Sequence, residues 1–540
     1  MNPLDWGVVA LYLVVIVATA AVLGRSQRTI SDYYLGGKRV RWWQAGVSSM
    51  ATQLGAISFV SAPAFVALKD DGGLKWLAYE FGVPLALILV MAIIVPTFHR
   101  SGVISIYEYL ERRFDQGTRA LVSVLFQVGR GLATAVSVLA GGLILSTALG
   151  ISTSAAIIAI GVVTIIYDVL GGIRIVILSD VIQMVIIVVG IVVCGGVALS
   201  LVGWNAAWAS IDPGRLQILD FGRLGLDAGG TYAFWPMALG GFFLYASYYG
   251  CDQSQVQRQL TVGSIDNVRR SILLNAVGRF PIVLLYSVMG IFVGAVVATS
   301  GFLERTADAI GASPAMVTAT LERDPDRMLP MFILSYLPHG LIGLIFVAIL
   351  SALMSSLDSA LNSMSAVTVR DFYQRYWKRD GDEKHYLAAS KLFTVFWGAF
   401  CVGFALLFAA TAEATRQTTI VLINAVGSIL YGPILAAFVL GMLTRWAGPQ
   451  ATKIGVVAGV GLNVALWQLT DISWLWWNLT GFLATVVCAI VLAGLDEGEG
   501  RTVSLGAQEP SRINWGVVYG LVAAYFLVIV GFSRFLETAL

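Results

Sequence analysis

Runs of about 20 apolar residues recur along this chain almost from end to end, and that length is what a helix needs to cross a bilayer core. Fourteen such spans can be marked, at 6–24, 42–66, 74–97, 119–148, 151–171, 175–201, 234–257, 271–299, 330–366, 387–411, 418–443, 450–470, 474–493 and 514–533. Only 12% of residues are charged and 58% are apolar, against about 25% charged in soluble domains. The chain therefore reads as an all-α integral membrane protein of one transmembrane domain. The polar stretch at 494–513 is its one extended linker.

The near-neutral net charge of +2 comes without a basic stripe, which argues against nucleic acid as a partner. Cys194, Cys251, Cys401 and Cys488 lie in or beside apolar runs, without metal-ligand spacing, and read as small buried residues. No nucleophile–base arrangement is visible, so an enzyme is not expected. The first residues, Met1 to Trp6, lack the basic region of a cleaved signal peptide.

Loop charge sets the expected orientation. Arg25, Arg28, Lys38 and Arg39 form one basic cluster, and Arg100, Arg112 and Arg113 a second. Arg258, Arg269 and Arg270 form a third, and Arg370, Arg375, Lys378, Arg379 and Lys384 a fourth. The opposite loops, with Lys69, Lys75, Arg215, Arg223, Arg305, Arg323, Arg327 and Arg416, are poorer in cations and rich in Asp and Glu. The first set belongs to the cytoplasm of a cell membrane. An even span count then puts both termini outside.

Two spans look broken. ATQLGAISFVSAP at 51–63 and GGFFLYASYYGCDQ at 240–253 place Gly, Ser, Pro and an acid in apolar helices. Unwound backbone at membrane depth survives only where it is buried or lines a cavity. Breaks at matching places in two halves point to a transporter built of inverted repeats. Glycine and proline are also common in ordinary membrane helices, so each break alone has a bland reading.

Charges within spans are costly and mark sites by default. Glu80, Arg130, Asp180, Asp252, Arg279 and Asp358 are such charges, and pairs that merely pin helices together are the alternative. In AILSALMSSLDSALNSMSAVTVRDFY, Ala352, Ser355, Ser356 and Ser359 recur at i, i+3, i+4 and i+7 and share one helix stripe. Such a stripe serves equally as hydroxyl ligands for a hard cation or as a small-residue packing face.

Four segments in order resemble the sodium/solute symporter family: SDYYLGGKRVRWWQAGVS, ISIYEYLERRF, YDVLGGIRIVILSDVIQ and SSLDSALNSMSAVTVRDFY. The resemblance implies a LeuT-type inverted repeat of two five-helix units, 42–201 and 234–443. A leading helix at 6–24 precedes them and three trailing helices at 450–533 follow. It implies sodium held by the carbonyls of Ala51, Leu54 and Ala352 and the hydroxyls of Ser355 and Ser356. A second sodium falls to Asp180 and Ser359. Asp358 stands where relatives often carry Ser, Thr or Ala, a departure that makes it either a further sodium ligand or a proton carrier.

For substrate, the resemblance implies Gln53, Glu80, Asp252 and Arg279, with Tyr79 as an outer aromatic gate. Arg130 falls where relatives that carry acidic sugars place an arginine. The expected function is sodium-coupled import of a small polar, carboxylate-bearing solute. Alternatives are a sodium symporter for a sugar or other neutral solute, a proton-coupled carrier on the same scaffold, and a membrane solute sensor.

Overall fold

The computed structural model describes residues 1–540 except 228, 412–418, 496–502, 504–510 and 540. The chain is helical throughout its described secondary structure, with no strand among those residues. Most of the predicted linker at 494–513, and Arg416, lie outside them.

The labelled helices are α1 (Pro3–Gly24), α2 (Trp42–Gln53), α3 (Ala56–Ala67), α4 (Leu74–Ser101), α5 (Gln116–Leu149) and α6 (Thr153–Val202). Then come α7 (Gly241–Cys251), α8 (Gln253–Leu260), α9 (Ile265–Val297), α10 (Leu341–Trp377) and α11 (Glu383–Thr411). The last are α12 (Thr419–Leu443), α13 (Pro449–Leu469), α14 (Trp476–Val491) and α15 (Trp515–Ala539).

Among the described residues, ten helices are long and apolar enough to cross a membrane, or eleven if α2 and α3 are one bent span. The fourteen predicted spans are therefore not matched one for one. Spans 151–171 and 175–201 run together as the 50-residue α6, too long at about 1.5 Å per residue for one crossing of the bilayer core, and are two helices that meet at a kink. α6 leaves helical geometry at Gly172 (φ 56°, ψ −157°), where a Cβ would also lie 2.7 Å from the Tyr33 carbonyl oxygen. Span 234–257 is divided at Asp252, and span 474–493 carries the 16-residue α14. Span 330–366 is divided too. Met328–Tyr336 ends before Pro338, and α10 starts after Gly340 at φ 89°.

The two predicted breaks are present. Helical pairing in α2 ends with the Leu54 N–H on the Met50 carbonyl, 2.8 Å, and resumes in α3 with Phe59 N–H on the Gly55 carbonyl, 3.0 Å. The two segments bend by 48°. At the second break Asp252 is extended (φ −91°, ψ 121°) and caps α8, its Oδ1 accepting from the Ser254 N–H at 2.8 Å. α6 is the central element and packs against α1, α2, α5, α9, α10 and α11.

α8 (QSQVQRQL) is polar at five positions besides its arginine, yet every residue in it is buried. Its side chains are hydrogen-bonded into its neighbours. Gln253 accepts from Ile106 N–H at 2.9 Å, and Gln257 donates to the Tyr34 carbonyl at 2.9 Å and to Asn362 at 2.8 Å. Gln259 donates to Ser49 at 2.8 Å. The exception is Gln255, whose amide donates to Tyr248 at 3.0 Å while its buried Oε1 has no hydrogen-bond partner.

Candidate functional site

The α2–α3 break faces the serine stripe of α10. A Cβ built on Gly55 would lie 3.1 Å from Ser356 Oγ, 3.4 Å from the Ala51 carbonyl oxygen and 3.6 Å from the Ala352 carbonyl oxygen. Three of the predicted sodium ligands thus converge on one point, open because residue 55 has no side chain. Leu54 lies in the break itself (φ −95°, ψ 43°), outside the helical ladder. Oxygens of this kind, carbonyl and hydroxyl, are what a hard cation takes. Ser355, the fifth, is engaged elsewhere: its hydroxyl donates to Asp180 Oδ1.

Asp180 and Ser359, expected to share a second cation site, meet around an arginine, together with Ser355, which was expected at the first site. Arg258 Nη2 is 3.1 Å from Asp180 Oδ2 and also donates to Ser359 Oγ. Its Nε donates to Ser48 Oγ at 2.7 Å, and Ser48 in turn donates to Asp180. The sequence reading counted Arg258 as a cytoplasmic loop cation and passed over Ser48. The available signal was Asp180 itself, a span carboxylate in need of a partner. Asp358 sits one layer away, accepting from Tyr167 Oη at 2.5 Å and from Ser359 Oγ at 3.2 Å. Asp168 accepts from Asn362 at 3.4 Å through one oxygen, while its Oδ2 is buried without a hydrogen-bond partner.

Beside the Gly55 break lies a cavity of about 100 Å³ that opens outward. Gln53, Tyr79, Glu80, Arg130 and Arg279 line it, together with Ser356, so the predicted substrate residues and the cation point share one space. Asp252 does not line it. It belongs to a smaller neighbouring cavity that also touches Arg130.

The charges in the large cavity are not equivalent. Glu80 and Arg279 form a two-pronged pair at 2.8 and 2.6 Å, and both are further bonded to Tyr245 Oη. This pair is internally neutral and geometrically satisfied. Arg130 is different. Its nearest carboxylate, Asp252, is 3.7 Å away, and its buried Nε has no hydrogen-bond partner. Gln53 Oε1, also on the cavity wall, lacks one too. Tyr79 closes one side, its ring tilted against Tyr245 at 4.9 Å and Trp76 at 5.1 Å, its hydroxyl donating to Asn424 at 3.1 Å. Tyr245, Tyr248, Asn424 and Tyr431 are wall residues that the sequence did not single out.

A helical bundle with two interrupted helices, and a polar cavity at one interruption, defines a solute carrier of the LeuT type. Comparison with known proteins agrees. A family model described as "Sodium:solute symporter family" matches residues 33–460. Human sodium-coupled monocarboxylate transporter 1 is 30% identical over 82% of this chain and 69% of its own. The human sodium/iodide cotransporter is 28% identical over 86% and 68%. A solved structure of a substrate-bound, outward-open sodium-coupled sialic acid symporter with a novel sodium site superposes with a TM-score of 0.79. It is 25% identical and covers 93% of this chain and all of its own. This chain belongs to the sodium:solute symporter family. It is a multi-pass membrane transporter coupled to sodium, and not an enzyme.

Proposed function

We propose that this symporter imports a small carboxylate-bearing solute together with sodium, by alternating access. The observation that carries the substrate class is Arg130: a half-buried guanidinium on the cavity wall, held by Tyr248 and Tyr431 and by a 3.7 Å ion pair with Asp252, whose buried Nε has no hydrogen-bond partner. A guanidinium stays charged when buried and takes a carboxylate through paired hydrogen bonds. Gln53 supplies an acceptor for a hydroxyl on the same solute. Glu80 and Arg279 shape the wall as a pair, Tyr79 gates it, and Asp252 partly offsets the field of Arg130 from behind. The names of the relatives, monocarboxylate, iodide and sialic acid, support an anionic cargo.

Sodium binds between the carbonyls of Ala51, Leu54 and Ala352 and the Ser356 hydroxyl, with Ser355 joining once its hydroxyl leaves Asp180, and stiffens the broken α2–α3 span that walls the cavity. The two repeats are 42–201 and 234–443, and both termini face outside. Transit inward parts the polar seam around α8. A second sodium at Asp180, Asp358 and Ser359 requires Arg258 to withdraw first.

Energetics bear on the ion count. One charge through 100 mV is worth about 2.3 kcal/mol, and a ten-fold gradient adds about 1.4 kcal/mol. One sodium would then accumulate a neutral solute roughly 500-fold, but a monovalent anion only about ten-fold. An anionic cargo therefore favours two coupled cations. The test is uptake in proteoliposomes, with choline replacing sodium and with carboxylates set against their neutral amides, while charge per solute is recorded. Equal uptake of acid and amide would refute the substrate class. Uptake that persists in choline at fixed pH would refute sodium coupling in favour of protons.

A further inference from the structure

The end of α1, the loop after it, and the start of the second half of α6 line a half-open cavity of about 150 Å³, separate from the transport site. Its polar rim is Arg39, Gln44 and Arg174, and its floor is Leu23, Ile177 and Leu178. Arg174 donates to Ser26 at 3.3 Å, and the stretch from Arg25 to Arg41 carries four further exposed cations, Arg25, Arg28, Lys38 and Arg41. Among the described residues none of these six cations has a carboxylate within ion-pair distance, unlike Arg119, Arg258 and Arg370, which pair with Asp371, Asp180 and Glu108. The backbone that presents them is left-handed at Gly36 (φ 57°), Gly37 (φ 67°) and Lys38 (φ 57°). A non-glycine residue seldom adopts that geometry, and it persists only where its surroundings impose it. Here the Val40 N–H holds the Thr261 carbonyl at 3.4 Å.

Two features set the depth of this cavity. Trp43, 37% exposed, stands beside Gln44, and tryptophan collects at the membrane–water boundary. From Leu178 an outward apolar stripe runs on through Ile182, Val185, Val189 and Val192, all exposed. Asp32, on the same loop, offsets Arg39 only in part and from beyond ion-pair distance, so the site keeps an excess of cations at headgroup level and an apolar track for acyl chains leading away.

We propose that this cavity binds an anionic phospholipid, with its phosphate between Arg39 and Arg174 and its chains along the Leu178–Val192 stripe. By the loop-charge orientation this is a lipid of the cytoplasmic leaflet, where basic pockets between helices meet anionic headgroups.

The test measures thermal stability of the purified symporter titrated with short-chain phosphatidylglycerol, phosphatidylcholine of the same chain length, and glycerol phosphate. The expected result is a saturable rise in Tm with phosphatidylglycerol alone. R39Q/R174Q is expected to weaken that response at least ten-fold while keeping sodium-driven uptake in phosphatidylcholine liposomes, and K378Q/R379Q to leave it intact. Should the arginine variant not fold, L178W, which fills the floor, is expected to show the same loss. An unchanged response in R39Q/R174Q or L178W would overturn the site. So would an equal loss in K378Q/R379Q, which would mean charge alone, or a matching response to glycerol phosphate, which would mean a free-anion site.

Discussion

Arg258 Nη2 and Asp180 Oδ2 lie 3.1 Å apart, both side chains almost wholly buried, at the place where the serine stripe of α10 meets α6. The guanidinium is a cation the protein carries in itself. Removing one member of a buried pair leaves the other uncompensated, at a cost of about 3–5 kcal/mol. R258Q is therefore expected to lower Tm by several degrees, with D180N/R258Q recovering much of the loss. High sodium should restabilise R258Q more than the native protein, because Asp180, Ser355 and Ser359 are then open to an ion. Thermal unfolding across a sodium series reads all three effects. Identical sodium dependence in R258Q and the native protein would remove the second-cation reading.

Gly55→Ala tests the first cation point by steric occupation. Alanine adopts the backbone of residue 55 (φ −75°, ψ −162°) without strain, and its methyl would sit 3.1–3.6 Å from the three converging oxygens. The fold should survive while sodium activation of uptake is largely lost. Ser356→Ala removes one ligand and should raise the half-activating sodium concentration about ten-fold, equivalent to about 1.4 kcal/mol. Sodium titrations of uptake check both variants.

Much of this was legible in the residues, and the exceptions share a cause. Gly55 and Asp252 interrupt apolar runs, so both breaks could be read. The serine stripe of α10 could be read from its 3–4 spacing, and Glu80, Arg130 and Arg279 from the cost of charge in lipid. Pairing could not be read. Glu80 with Arg279, and Asp180 with Arg258, join residues 199 and 78 apart. Arg258 in QVQRQL looks like loop because a helix sealed by glutamine hydrogen bonds leaves no hydropathic trace. The division of span 330–366 was missed because Pro338 and Gly340 end one helix and start the next within an apolar stretch.

Glu80 and Arg279 make a stability prediction distinct from transport. Each carries two mutual contacts and a tyrosine, so E80Q or R279Q alone should cost about 3–5 kcal/mol. The double-mutant cycle should show strong coupling, since neighbours in one ion-pair network are non-additive. Additive losses in thermal unfolding would mean that the pair is not formed in the membrane.

Arg130 and Asp252 give the last prediction, and its signs are opposite. Arg130→Lys keeps the charge but loses the planar donors, including the unpartnered Nε. Hydrogen bonds to charged groups are worth about 1.5–3 kcal/mol, so KM for a carboxylate solute should rise ten-fold or more while its sodium dependence stays. Asp252→Asn removes the carboxylate 3.7 Å from Arg130 and strengthens the field in the cavity, so KM for the same solute should fall. The Oδ1 cap on Ser254 is kept by asparagine, which isolates charge from structure. Uptake kinetics with a carboxylate and its neutral amide separate the cases: a carboxylate bound by Arg130 shifts in opposite directions in the two variants, and the amide shifts in neither. Parallel shifts for acid and amide would mean that Arg130 only braces α5 against α7, and the anionic cargo would have to be abandoned.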